Sequence, residues 1–212
     1  MKIPISTVPN LMTVTVVALL FTGCATTEAP APPAQENSSV EIQQDVGFTI
    51  TEEVAVDTDV RLDYDQAVRY LQQGRHDEGI AILEAVAASA PQLSAPLIDM
   101  GIAHHRNDNL EAAEKFLLEA IELNPNHPTA HNELGIVYRK SGRFAEARQS
   151  YEAALTIFPG YHFARRNLAV LCDLYLADLQ CALDNYEAYM TTVPVDEEAE
   201  MWIADIRARL GQ

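Results

Sequence analysis

The residues of this 212-residue chain that could do chemistry are six histidines, three cysteines and scattered pairs of acids. His127-x3-His131 and the neighbours His104-His105 have spacings that could hold a metal from one helix face. However, Pro128 marks a helix start beside the first pair, and His131 and His104 fall on packing positions of the repeat described below. The histidines therefore read as structural or surface groups. Glu197-Glu198 sit in the first turn of the last helical segment, where acids favour the positive end of the helix dipole. The sequence contains no glycine-rich phosphate loop, no Gly-x-Ser-x-Gly elbow and no His-Glu-x-x-His. The expectation is a protein that is not an enzyme, with no catalytic residue, metal, cofactor or small-molecule substrate.

What must position these residues is a periodic scaffold. Pro91, Pro125 and Pro159 are 34 residues apart, and Gly101 and Gly135, Ala113 and Ala147, and Ala120 and Ala154 keep the same period. Tyr70 and Tyr138 are two periods apart, as are Gly74 and Gly142. A fixed period of this length means stacked copies of one unit, each burying its apolar face against its neighbours. Numbered from 1 to 34, the copies run over 60–93, 94–127 and 128–161. Small residues at positions 8, 20 and 27 let two antiparallel helices approach, while large ones at 7, 11 and 24 fill the space between them. Proline at position 32 ends the second helix. Helices are predicted over 61–73, 76–89, 95–106, 109–123, 128–140, 144–157, 162–176 and 179–191.

The third copy reads His131-x2-Leu134-Gly135-x2-Tyr138, then Ala147-x3-Tyr151, Ala154 and Pro159. The second reads Leu97, Met100-Gly101, His104, Ala113, Leu117, Ala120 and Pro125, and the first Gln66-Ala67, Tyr70, Gly79, Leu83, Val86 and Pro91. A fourth begins near His162 with Leu168-Ala169 and Cys172, and takes one extra residue in its turn before Ala182, Tyr186 and Pro194. This pattern resembles the tetratricopeptide repeat. The resemblance implies an all-α solenoid of four helix hairpins over residues 60–195. Ala199, Trp202, Ile203, Ile206 and Leu210 then lie on one face of a capping helix within 196–212.

In that family the first helix of each repeat lines a concave groove, chiefly through positions 2, 5, 9, 12 and 13. Carried onto this chain, position 9 supplies an apolar strip of Val68, Ile102, Ile136 and Val170, and position 5 supplies Asn132 and Arg166. Positions 12 and 13 supply Arg106, Arg139 and Lys140 in the middle repeats. Ile102, Ile136 and Val170 beside Arg106, Arg139, Lys140 and Arg166, with Asn132, would suit an extended or helical peptide with apolar anchors and an acidic group. The alternative is a solvated face without a ligand.

Residues 1–23 read as a lipoprotein-type signal peptide. Lys2 precedes an apolar run from Leu11 to Phe21, and these eleven residues fall short of the about 20 needed to span a bilayer. Leu20-Phe21-Thr22-Gly23-Cys24 looks like a lipobox, which implies lipid attachment (palmitate among the acyl chains) at Cys24. An ordinary signal peptide or a buried Cys24 is the alternative. Ala25, rather than aspartate, after the cysteine implies the outer membrane of a Gram-negative bacterium, facing the periplasm. Residues 24–59, rich in Ala, Pro and acids, read as a flexible tether. Within it Phe48-Thr49-Ile50-Thr51 alternates like a short strand. With Cys24 lipidated, Cys172 and Cys181 remain as a pair that would face each other across the fourth hairpin, as a disulfide or as two buried thiols.

The formal charge is −17. Residues 25–65 hold ten acids against Arg61 alone, and 173–205 hold nine acids with no Lys or Arg. Such acidity disfavours nucleic acid. The expected partners are proteins of a cell-envelope complex, with the membrane reached through the lipid anchor. The expected role is a scaffold or adaptor, an assembly or stability factor for pilus, secretin, outer-membrane or peptidoglycan machinery. The rival expectation is an accessory subunit of a TonB/ExbB/ExbD- or Tol-type energy-transducing complex.

Overall fold

The computed structural model describes residues 38–43, 47–52 and 54–211. The signal-peptide and lipid-attachment assignments, Cys24 included, lie outside the described residues. Nine helices follow a two-stranded hairpin among them: β1 (Ser38–Gln43), β2 (Gly47–Glu52), α1 (Thr58–Gln72), α2 (His76–Ser89), α3 (Ala95–Arg106), α4 (Leu110–Leu123), α5 (Pro128–Lys140), α6 (Phe144–Ile157), α7 (His162–Leu174), α8 (Leu179–Thr192) and α9 (Glu197–Leu210).

The helix ends follow from local chemistry. Pro91, Pro125, Pro159 and Pro194 each fall two residues beyond the end of α2, α4, α6 and α8, where the residue before proline is driven out of the helical region. Starts are capped by side chains: Asn109 accepts from Ala112 N–H, Asp178 from Cys181 N–H and Asp196 from Ala199 N–H. The turn inside each hairpin needs one left-handed residue. That residue is Gly74 or Gly142 in the first and third repeats, but Asp108 (φ 57°) in the second and Ala177 (φ 53°) in the fourth.

The first three hairpins each close over a glycine–large-residue contact: Gly79 on Leu71, Gly101 on Leu117 and Gly135 on Tyr151. A Cβ on Gly135 would stand 2.5 Å from the ring of Tyr151, which is fully buried. The core then runs without interruption from α3 to α9 through Leu117, Leu134, Tyr151, Leu168, Leu183 and Ile206. A smaller cluster around Ala67, Leu71, Leu83 and Met100 joins the first repeat to the second. No described helix is long and apolar enough to cross a membrane.

Part of the stretch read as a tether is a folded hairpin. β1 and β2 pair antiparallel with Val40 opposite Ile50, and the alternating Phe48–Thr51 run lies in β2. Its far end is fastened to the repeats by one buried carboxylate. Glu52 accepts from Ser94 N–H at 3.0 Å, from the Ser94 hydroxyl, and from Asn124 Nδ2 at 3.4 Å. The chain therefore enters the solenoid along the edge where the α2–α3 and α4–α5 loops lie. The sequence offers no periodic or compositional signal for that contact.

Candidate functional site

Successive first helices touch one another, α1 with α3, α3 with α5 and α5 with α7. Among the described residues, α2, α4, α6 and α8 touch only first helices and, at the end, α9. First helices drawn together on one side and second helices held apart on the other make a curved wall, with α1, α3, α5 and α7 inside. The inner face of each first helix carries positions 2, 5, 6, 9, 12 and 13, which lie within about 120° of arc at 100° per residue, and burial decides which of them stay open.

Ile102, Ile136 and Val170 lie on this face, half-buried and packed against the core beneath them. Asn132 does not belong to the open wall. It is 2% exposed, accepts from Asn167 Nδ2 at 2.9 Å and donates to Glu133 Oε1 at 3.1 Å. Ile98, one repeat earlier at the same position 5, is also buried. In α3 and α5 this position is turned into packing, so the groove assignment of Asn132 is replaced by its neighbour at position 6.

Position 6 supplies Asp65, Asp99, Glu133 and Asn167. The sequence did carry a signal for them, polar residues at the 34-residue period, but the family pattern of lining positions passes them over. Tyr64 donates its hydroxyl to Asp99 Oδ2 at 2.7 Å. Burial raises the Asp99 carboxyl above the ordinary aspartate range, against the hydrogen bond from Tyr64 and the charge of Arg106. Burial also raises Glu133, against the hydrogen bond from Asn132 and again the charge of Arg106.

The basic residues divide into committed and available ones. Lys140 Nζ lies 3.1 Å from Asp108 in the turn before α4. Arg166 Nη2 lies 3.3 Å from Glu198, and its guanidinium sits 5.2 Å from the Trp202 ring of α9. Arg139 lies 5.8 Å over the Tyr175 ring, with its Nε 3.5 Å from the Tyr151 hydroxyl. Arg106 is exposed. Beside them His105 is pushed down by burial first and then by Lys140, Arg106 and Arg139. Arg106 and Arg139 are thus the cations most open to a ligand, because Lys140 and Arg166 already have carboxylate partners.

The wall is not equally free along its length. The segment after Glu52 lies against the first turns of α1, enclosing a cavity of about 250 Å³ lined by Val54, Val56, Val60, Tyr64, Val86 and Leu93. Among the described residues only the first turns of α1 carry such a segment, and none lies on α3, α5 or α7. Three other histidines serve the fold: His127 accepts from Ala130 N–H, His131 Nε2 lies 2.9 Å from Pro125 O, and His104 stacks on Phe116. Cys172 and Cys181 are bonded to each other, with Cα atoms 5.9 Å apart. Asp178 lies close to both sulfurs, but caps α8 and faces no free thiol.

Comparison with known proteins agrees with this architecture. MamA of Desulfovibrio magneticus RS-1 superimposes with a TM-score of 0.65 at 21% identity, over 74% of this chain and 88% of that one. The pilF protein of Pseudomonas aeruginosa superimposes with a TM-score of 0.65 at 16% identity, over 71% of this chain and 68% of that one. Likeness at these identities speaks to fold. Protein O-mannosyl-transferase F38B6.6 of Caenorhabditis elegans is 29% identical over 107 residues, half of this chain but only 14% of that protein's length. The tetratricopeptide repeat profile matches residues 64–125 and 98–162, covering the first three hairpins. With the 34-residue period, the paired helices and the close glycine contacts inside the first three hairpins, this leaves one assignment: the chain belongs to the tetratricopeptide repeat family.

Proposed function

We propose that this chain is a lipid-anchored scaffold of the cell envelope whose inner wall captures a polypeptide segment of a partner protein. Tetratricopeptide repeats bind protein partners, and the observation that carries the reading here is the inner wall of α3, α5 and α7. Ile102, Ile136 and Val170 stay partly exposed there beside Arg106 and Arg139, as a groove for apolar anchors next to a charge would be. The anchor rests on Leu20-Phe21-Thr22-Gly23-Cys24, and Ala25 after the cysteine favours the outer membrane facing the periplasm. An adaptor held at the lipid surface would bring its partner into an envelope machine, as an assembly or stability factor.

Two experiments test the two halves. Radioactive palmitate should label the wild-type protein and fail to label Cys24→Ser; an unlabelled wild type removes the anchor. Crosslinking in cells followed by mass spectrometry should recover a partner that Arg106→Glu/Arg139→Glu loses, while the helical circular dichroism of the variant is kept. Unchanged recovery by a folded variant removes the groove.

A further inference from the structure

The inner wall carries its charge in two rows that run along the solenoid, one on each side of the apolar strip. Asp99 and Glu133 at position 6 form the acidic row, with Ile102, Ile136 and Val170 at position 9 between them and the basic residues. Arg106 at position 13 and Arg139 at position 12 form the basic row. From position 6 to position 13 a helix rises about 10 Å, and an α-helix with its side chains is about 10–12 Å across. The two rows are therefore one helix diameter apart.

A second match runs along the solenoid. Packed neighbouring helices stand 8–10 Å apart, and seven residues of a helix laid across them advance about 10 Å. A partner helix with apolar residues at a seven-residue repeat would meet Ile102, Ile136 and Val170 in turn. We propose that the partner segment is an amphipathic helix lying across α3, α5 and α7. Its apolar stripe carries Lys or Arg on the flank facing Asp99 and Glu133, and Asp or Glu on the flank facing Arg106 and Arg139.

The inference rests on the groove reading above and makes it more specific. Asp99 accepts from the neutral Tyr64 hydroxyl and Glu133 from the neutral Asn132 amide, and among the described residues neither carboxylate has an ion pair, so both offer acceptors to an incoming cation on their side of the strip. Lys140 and Arg166, paired with Asp108 and Glu198, add little to the opposite row. The rows also fix direction, because reversing a bound helix would place its acids on Asp99 and Glu133.

Three helix-forming peptides of roughly 20 residues, long enough to hold a helix, test this. All share one leucine stripe; one has a Lys flank and a Glu flank, one has Glu on both, and one has Lys on both. Titrated calorimetrically into the wild-type protein near physiological salt, the mixed peptide should bind about tenfold tighter than either control. Glu133→Lys should erase its advantage over the all-Glu peptide. An all-Glu or all-Lys peptide that binds as tightly as the mixed one overturns the inference and leaves the groove standing. Failure of all three to bind, or binding that Arg106→Glu/Arg139→Glu leaves unchanged, overturns both. The comparison on wild-type protein needs no variant to fold.

Discussion

Single residues show where the fold is most exposed to chemistry. His127 caps α5 by accepting from Ala130 N–H, which requires an unprotonated ring nitrogen. Burial, with the charge of His131 adding, pushes it down from 6.5 to about 4. Between those values the unfolded chain binds the proton and the folded chain does not, so acid weakens the fold as pH falls through that window. His127→Asn keeps a capping acceptor without the titration, so melting curves against pH should show the wild type losing stability relative to the variant below about pH 6.5. Parallel curves would contradict the assignment. Glu52 acts at the other edge. Glu52→Ala leaves the buried Ser94 donors without their carboxylate, which should cost about 1–3 kcal/mol and lower the melting temperature by several degrees. An unchanged melting temperature would mean the hairpin end is not fastened. Neither Glu52 contact was legible in the sequence: they reach residues 42 and 72 positions away, and such distances carry no periodic trace. The acidic row was legible, since Asp99 and Glu133 recur at the repeat length, yet Asn132 drew attention one position early.

At the scale of elements, spacing foretold most of what folded. Helix boundaries fell within a few residues because proline and the hairpin turns mark them locally. The hairpin β1–β2 was the exception; an acidic, proline-containing stretch reads as unstructured until its alternating residues find a partner strand. Two element-level outcomes follow from the packing. Gly135→Ala drives a methyl into the Tyr151 ring, which is boxed in on all sides, and should destabilise by about 1–3 kcal/mol in a denaturant titration. Stability equal to wild type would show that α5 and α6 can separate freely. The bond between Cys172 and Cys181 spans the turn that holds Ala177 in the left-handed region. Reduction should therefore cost about 2.5–3 kcal/mol on the loop-entropy estimate, read as a lower denaturation midpoint. A midpoint insensitive to reductant would show that the fourth hairpin holds its turn unaided.

For the whole molecule, the central matter is which side of the solenoid meets another protein. The ends are strongly acidic, while the stretch 66–172, with twelve acids and ten bases, is nearly balanced. Charge outside the wall thus serves solubility and leaves recognition to the rows flanking the apolar strip. The strap after Glu52 lies against the first turns of α1 and Arg166 is paired with Glu198 of α9, so the proposed contact is expected on α3, α5 and the open part of α7. A photo-activated crosslinker placed at Ile136 on the inner wall, and separately at the exposed outer residue Leu118, tests this most directly in cells. Crosslinks to a polypeptide from position 136 and none from position 118 are predicted. Equal labelling from both positions, or labelling from 118 alone, would contradict it.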